Sequence, residues 1–273
     1  MNRLLRLKAE LFLAGMLACA AGRGACAATE SNAPAPPPAV AQQVQRACWE
    51  YKQLSLLSDF KIWNDLGGQG WDFLTVFQKT IVFRRRSAPA VTQIWEYAQL
   101  PGTAYVYEYN LQGDQGWKWA GLLPKTIVFK RLRNAPALER WQYLEVPATV
   151  GFSDWLRVGK AGWDLVTLQQ QTIVFERCYT TANAGQIGYL LLSDQSAFAE
   201  WNKMGRQGWD FVTLFNKALA FKRISSPQTR ATPWEYTQLP VTAAASEWNK
   251  LGAQGWLYVT IFKQAIVFKR ELQ

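Results

Sequence analysis

The chain of 273 residues contains no histidine. That removes the side chain that most often moves protons near neutral pH, and the commonest metal ligand. Ser–His and Cys–His nucleophile pairs are excluded with it. Cysteine is scarce, at four residues. Long apolar runs are missing too: Leu11 to Ala21 spans only 11 residues, too short to cross a bilayer. No zinc-ligand spacing, P-loop or nucleophile elbow occurs. Neither a cofactor nor a metal nor a catalytic group is therefore expected.

What is present at the start reads as a targeting signal. Arg3, Arg6 and Lys8 precede the apolar run, and Ala25-Cys26-Ala27 supplies small residues at a cleavage site. Residues 1–27 are read as a signal peptide, and export to the periplasm or medium is expected. The alternative is a lipoprotein anchored at Cys19, after the loose lipobox Met16-Leu17-Ala18. Residues 28–47 form a Pro/Ala-rich linker, extended by composition. Cleavage removes Arg3, Arg6, Lys8 and Arg23 against Glu10, so the net charge falls from +10 to +7. That balance favours acidic partners without being extreme. Cys48 and Cys178 remain, and an exported chain accommodates one disulfide between them, joining copy one to copy three or two chains. The alternative is two thiols.

From residue 48 the chain repeats itself five times. The tryptophans of Gly-x-x-Gly-Trp fall at Trp71, Trp117, Trp163, Trp209 and Trp256, in steps of 46, 46, 46 and 47 residues. A constant period in this range marks a repeat architecture. The copies run over 48–86, 94–132, 140–178, 186–224 and 233–271, the fourth being degenerate. Several near-copies build a scaffold or a multivalent surface more readily than a unique active site.

Within a copy, Trp49-Glu50-Tyr51-Lys52-Gln53-Leu54 alternates as a half-buried strand does. Ser58-Asp59 offers an N-cap, and Phe60, Trp63 and Leu66 follow at helical spacing. Gly67 is expected to close the helix in the left-handed conformation. Trp71 to Val76 and Thr80 to Arg85 read as an antiparallel hairpin, because their connection is too short for a parallel crossover. The fold class is α+β, five tandem strand-helix-strand-strand (βαββ) units.

The glycine pairs Gly67/Gly70, Gly113/Gly116, Gly159/Gly162, Gly205/Gly208 and Gly252/Gly255 sit at helix C-termini. The helix dipole repels anions there, so they are read as caps rather than as phosphate cradles. The periodic tryptophans are read as core. Trp119, Tyr105 and Tyr107 occur only in copy two and are candidates for a contact surface. Basic residues recur at the third strand ends: Arg84, Arg85 and Arg86, then Lys130 and Arg131, Lys222 and Arg223, Lys269 and Arg270. They could bind nucleic acid or another polyanion, or keep strand edges soluble. Asp72, Asp164 and Asp210 follow the motif tryptophan, where Lys118 and Leu257 stand in the other copies.

Trp95-Glu96-Tyr97, Trp234-Glu235-Tyr236, Leu251-Gly252-Ala253-Gln254-Gly255-Trp256 and Val267-Phe268-Lys269-Arg270 make the pattern similar to a small bacterial domain, domain-of-unknown-function family 4177. The resemblance covers 48–271 and implies a fold but no reaction. A unit of this size has little interior of its own. Two assemblies follow: an open array of lobes, or a closed five-fold β/α propeller of the pentein type. The expected function is a non-catalytic binding or assembly scaffold, with a protein partner, self or an envelope component. The alternatives are a polyanion or glycan binder, and a hydrolase using a carboxylate pair between copies.

Overall fold

The computed structural model describes residues 47–87, 93–135, 139–169, 171–180, 185–225 and 231–272. The signal read at 1–27 and the linker up to residue 46 lie outside the described residues. The first unit comprises β1 (Trp49–Ser55), α1 (Phe60–Gly68), β2 (Asp72–Phe77) and β3 (Thr80–Arg86). The second has β4 (Trp95–Pro101), α2 (Val106–Asp114), β5 (Lys118–Leu123) and β6 (Thr126–Leu132). The third has β7 (Trp141–Pro147), α3 (Phe152–Lys160), β8 (Asp164–Gln169) and β9 (Thr172–Cys178). The fourth has β10 (Gln186–Ser193), α4 (Phe198–Arg206), β11 (Asp210–Phe215) and β12 (Ala218–Ser225). The fifth has β13 (Trp234–Pro240), α5 (Ala245–Ala253), β14 (Leu257–Phe262) and β15 (Ala265–Glu271). Each unit is βαββ with its own three-stranded antiparallel sheet, and the third strand lies between the first and second.

The helix starts as its sequence dictates: the Asp59 carboxylate accepts the Lys61 N–H at 2.8 Å. Its end differs from the expectation. Gly67 lies inside α1, and the left-handed residue is Gly70 at φ 84°, whose N–H donates to the Gly67 carbonyl at 2.9 Å. The same holds at Gly116, Gly162, Gly208 and Gly255. The first glycine of each pair has another task. A Cβ on Gly67 would overlap the backbone carbonyl of Trp95, in the next unit. Gly113, Gly159, Gly205 and Gly252 face Trp141, Ile187, Trp234 and Trp49 in the same way. One glycine turns the chain; the other lets two units touch.

That contact explains the core. Trp63 packs against Phe73, Ile81 and Phe83 of its own sheet, and against Tyr97 and Val128 of the next. Each helix is thus covered by two sheets, and each central strand is buried on both faces. Ile81, Val82 and Phe83 are all 0% exposed, yet Val82 belongs to the core of unit five. A shift of register between Phe73 and Thr75, repeated in every unit, serves the same end. Phe73 and Val76 then face their own helix, while Leu74 and Phe77 face the preceding one.

The pattern closes. Trp248 of α5 packs with Tyr51, Phe77 and Val82 of unit one. The Tyr51 hydroxyl donates to the Trp256 carbonyl at 2.9 Å and accepts from the Tyr258 N–H at 3.0 Å. Tyr97 does the same with Trp71 and Phe73, at 2.8 and 2.7 Å. Asn249 bonds both backbone groups of Tyr51, as Asn64 does those of Tyr97. Asn64 and Asn249 therefore occupy the open edge of a first strand, where another strand could otherwise add. Five units form a ring in which the last is joined to the first by the same pair of tyrosine hydroxyl bonds that joins every other pair.

Candidate functional site, an inner band of charge

Two backbone positions in each unit carry the charges that meet around the ring. One follows the motif tryptophan: Asp72, Lys118, Asp164, Asp210 and Leu257. The other lies opposite it on the central strand: Arg84, Lys130, Glu176, Lys222 and Lys269. The first position of one unit reaches the second position of the next. Asp72 receives Lys130 at 2.5 Å, Asp164 receives Lys222 at 2.6 Å, and Asp210 receives Lys269 at 2.5 Å. Between units two and three the signs are exchanged: Lys118 reaches Glu176 at 3.3 Å. The Glu176 that interrupts the basic series is thus the complement of the Lys118 that interrupts the acidic one. Between units five and one Leu257 stands where the acid should be, and Arg84 turns to Asp72 of its own unit at 3.4 Å.

Burial shapes these groups. The side chains of Glu176 and Asp72 are 8% and 12% exposed. Burial, reinforced by the neighbouring Asp164 charge, raises the Glu176 carboxyl above its ordinary value, although Lys118 opposes the shift. Burial lowers Lys130 and Lys269 against the pull of Asp72 and Asp210, and Arg84 adds repulsion to both. Burial would lower Lys222 as well, but Asp164, with Asp210 and Glu176, raises it on balance. One oxygen of Asp164, one oxygen of Glu176 and the Nε of Arg84 are buried with no hydrogen-bond partner.

The remaining basic candidates are also tied into the ring. Arg85, Arg131, Arg223 and Arg270 lie over the motif tryptophans Trp71, Trp117, Trp209 and Trp256 at 4.3–4.6 Å. Glu50, Glu96 and Glu235 hold three of them at 2.7, 2.9 and 2.6 Å. Gly188 takes that glutamate's place in unit four. Arg86 is exposed. The repeated Trp-Glu-Tyr is therefore three contacts in a row. Trp95 lies under the Lys130 ammonium at 4.8 Å, Glu96 fixes Arg131, and Tyr97 bonds the preceding unit.

Two sequence readings are corrected. Within the chain, no disulfide joins Cys48 of copy one to Cys178 of copy three. They belong to units one and three, which are not neighbours in the ring. The Cys48 thiol lies 3.1 Å from the Ala253 carbonyl of unit five, and the Cys178 sulfur 3.4 Å from the Thr180 hydroxyl. Trp119 is core, at 5% exposure. It takes the place of Phe73, and Tyr109 on α2 takes that of Trp63, so the large and small rings are exchanged. Tyr105 and Tyr107, by contrast, are 68% and 62% exposed and stack on each other with centroids 6.4 Å apart.

The inner band is not legible in the sequence, although the Lys118 and Glu176 that interrupt the two series are. The band exists only because one unit's second strand meets the next unit's third. No protein-family model, no curated protein and no solved structure matches the chain. The likeness to family 4177 rests on the motif residues alone.

Proposed function

We propose that the protein is an exported, non-catalytic ring scaffold that engages another protein through the outer face of α2. The observation that carries this reading is a local departure from the repeat. Tyr105, Tyr107 and Leu111 are exposed on or beside α2. The matching positions hold Asp59, Lys61 and Asp65 in unit one, and Ala244, Ser246 and Lys250 in unit five. Four copies present small or charged residues there, and one presents two stacked aromatics and a leucine. Exposed aromatic clusters of this kind are typical anchors of protein interfaces. The non-catalytic part is supported by the inner carboxylates, each of which is held by a lysine from another unit.

The test is a triple replacement, Tyr105→Ala, Tyr107→Ser and Leu111→Lys, which writes the unit-five residues onto α2. Either self-association by light scattering or recovery of proteins from cell envelopes should be seen with the natural chain. At least one should be lost in the variant, with thermal stability unchanged. A variant that keeps every interaction of the natural protein would overturn the reading.

A further inference from the structure

The inner band carries one positive charge too many, and its place is defined. Asp72, Asp164, Asp210 and Glu176 supply four negative charges; Arg84, Lys118, Lys130, Lys222 and Lys269 supply five positive ones. Four of the five junctions pair a lysine with a carboxylate from the neighbouring unit. The fifth offers Leu257 to Arg84.

Arg84 is poorly compensated by what remains. Its one carboxylate, Asp72, is shared, with one oxygen at 3.4 Å from Arg84 and the other at 2.5 Å from Lys130. The Arg84 Nε–H is buried without an acceptor. Its guanidinium rests on the Trp49 ring at 5.2 Å, which holds the plane in position. Lys130 shares Asp72 with Arg84, and Lys269 lies opposite Leu257 on the neighbouring strand of unit five; the Arg84 charge opposes protonation of both. Locally, three cations face two carboxylates, Asp72 and Asp210, again leaving an excess of one. A buried donor without a partner and an unbalanced charge are both costly, and a bound counter-ion removes both penalties. The Arg84 side chain as a whole is 26% exposed, so part of it meets solvent although its Nε does not.

We propose that the unit five to unit one junction is a binding site for a small oxyanion, a carboxylate or a phosphate, held by Arg84 with Lys269 and Lys130 beside it. The planar guanidinium offers Nε–H and Nη–H donors in the geometry that oxyanions accept, which a spherical halide does not exploit. Leu257 is the residue that creates the site, because an aspartate there would complete the pattern of the other junctions. This inference is independent of the α2 surface.

Calorimetric titration of the full chain with acetate and with phosphate, at ionic strength fixed with sodium chloride, tests it. Saturable binding of one anion per chain is expected for at least one of the two. Leu257→Asp should weaken it at least tenfold by supplying the missing carboxylate internally. Arg84→Leu, which leaves the Asp72–Lys130 pair in place, should do the same. Arg86→Gln, at the exposed end of the same strand, should bind as the natural chain does. Heat that does not saturate with either anion, or binding that persists in both Leu257→Asp and Arg84→Leu, would overturn the site.

Discussion

The junction between units two and three and the junction between units five and one depart from the same pattern in opposite ways. At the first, every departure is answered. Lys118 replaces an aspartate and Glu176 replaces a lysine, so the pair survives with its sign reversed. Tyr109 replaces a tryptophan, and Gln169 replaces the Phe77 that Trp248 packs against elsewhere. The Tyr109 hydroxyl meets the Gln169 amide oxygen at 3.5 Å and the Ala104 carbonyl at 2.8 Å, while the amide nitrogen donates to Gly102 at 2.9 Å. At the second junction Leu257 replaces an acid and nothing answers it. A departure with its complement preserves the fold, and can also specify which units are neighbours. A departure without one leaves an unmet charge, which is where a ligand gains most.

The largest effect is expected where units touch through glycine. Gly113→Ala would drive a Cβ into the Trp141 carbonyl and should cost about 3 kcal/mol or more in chemical denaturation. Gly116→Ala, at the left-handed turn of the same unit, should cost roughly 1–2 kcal/mol. Equal costs would break the distinction drawn between the two glycines. Next in size is Glu176→Lys, which sets two lysines against each other and should cost about 3 kcal/mol. Adding Lys118→Asp restores the sign pattern of the other junctions and should recover most of the loss. Additive losses would show that the two residues are not partners. Gln169→Leu keeps the volume but removes the amide that serves Tyr109 and Gly102, and should cost about 1 kcal/mol.

The smallest effect is in pH. Because the fold raises the Glu176 pKa, the native state holds that proton more tightly than the unfolded chain does. The contribution is fully present below the unfolded value of 4.5 and is lost as pH rises through the higher folded value. The stability of the natural chain relative to Glu176→Gln should therefore decline above pH 4.5. A difference independent of pH would refute the assignment.

Much of the unit was legible in the sequence. Period, helix start, hairpin and the buried mid-helix tryptophans Trp63, Trp155, Trp201 and Trp248 follow from local spacing, because each is set by residues within one copy; the strand-one tryptophans Trp49, Trp95, Trp141 and Trp234, also read as core, are only half-buried. What connects copies was not legible. Gly67 and Gly70 look alike in sequence, and only the nearness of Trp95 separates their roles. Trp119 stands out as unique to unit two, but its uniqueness is an exchange with Tyr109 within the core. Arg84 and Arg85 are adjacent in the chain, yet one faces the inner band and the other lies over Trp71. Ring closure depends on contacts between residues about 200 positions apart, such as Tyr51 with Asn249 and Trp256.

Closure is also the claim on which the band, its single gap and the anion site depend. It is tested most directly by the unfolding free energy of Tyr51→Phe measured beside that of Tyr97→Phe. In a ring the two hydroxyls make the same bonds, so both variants should lose about 1–3 kcal/mol by similar amounts. Full cost at Tyr97 and none at Tyr51 would mean that the first strand is a free end and that the units form an open array.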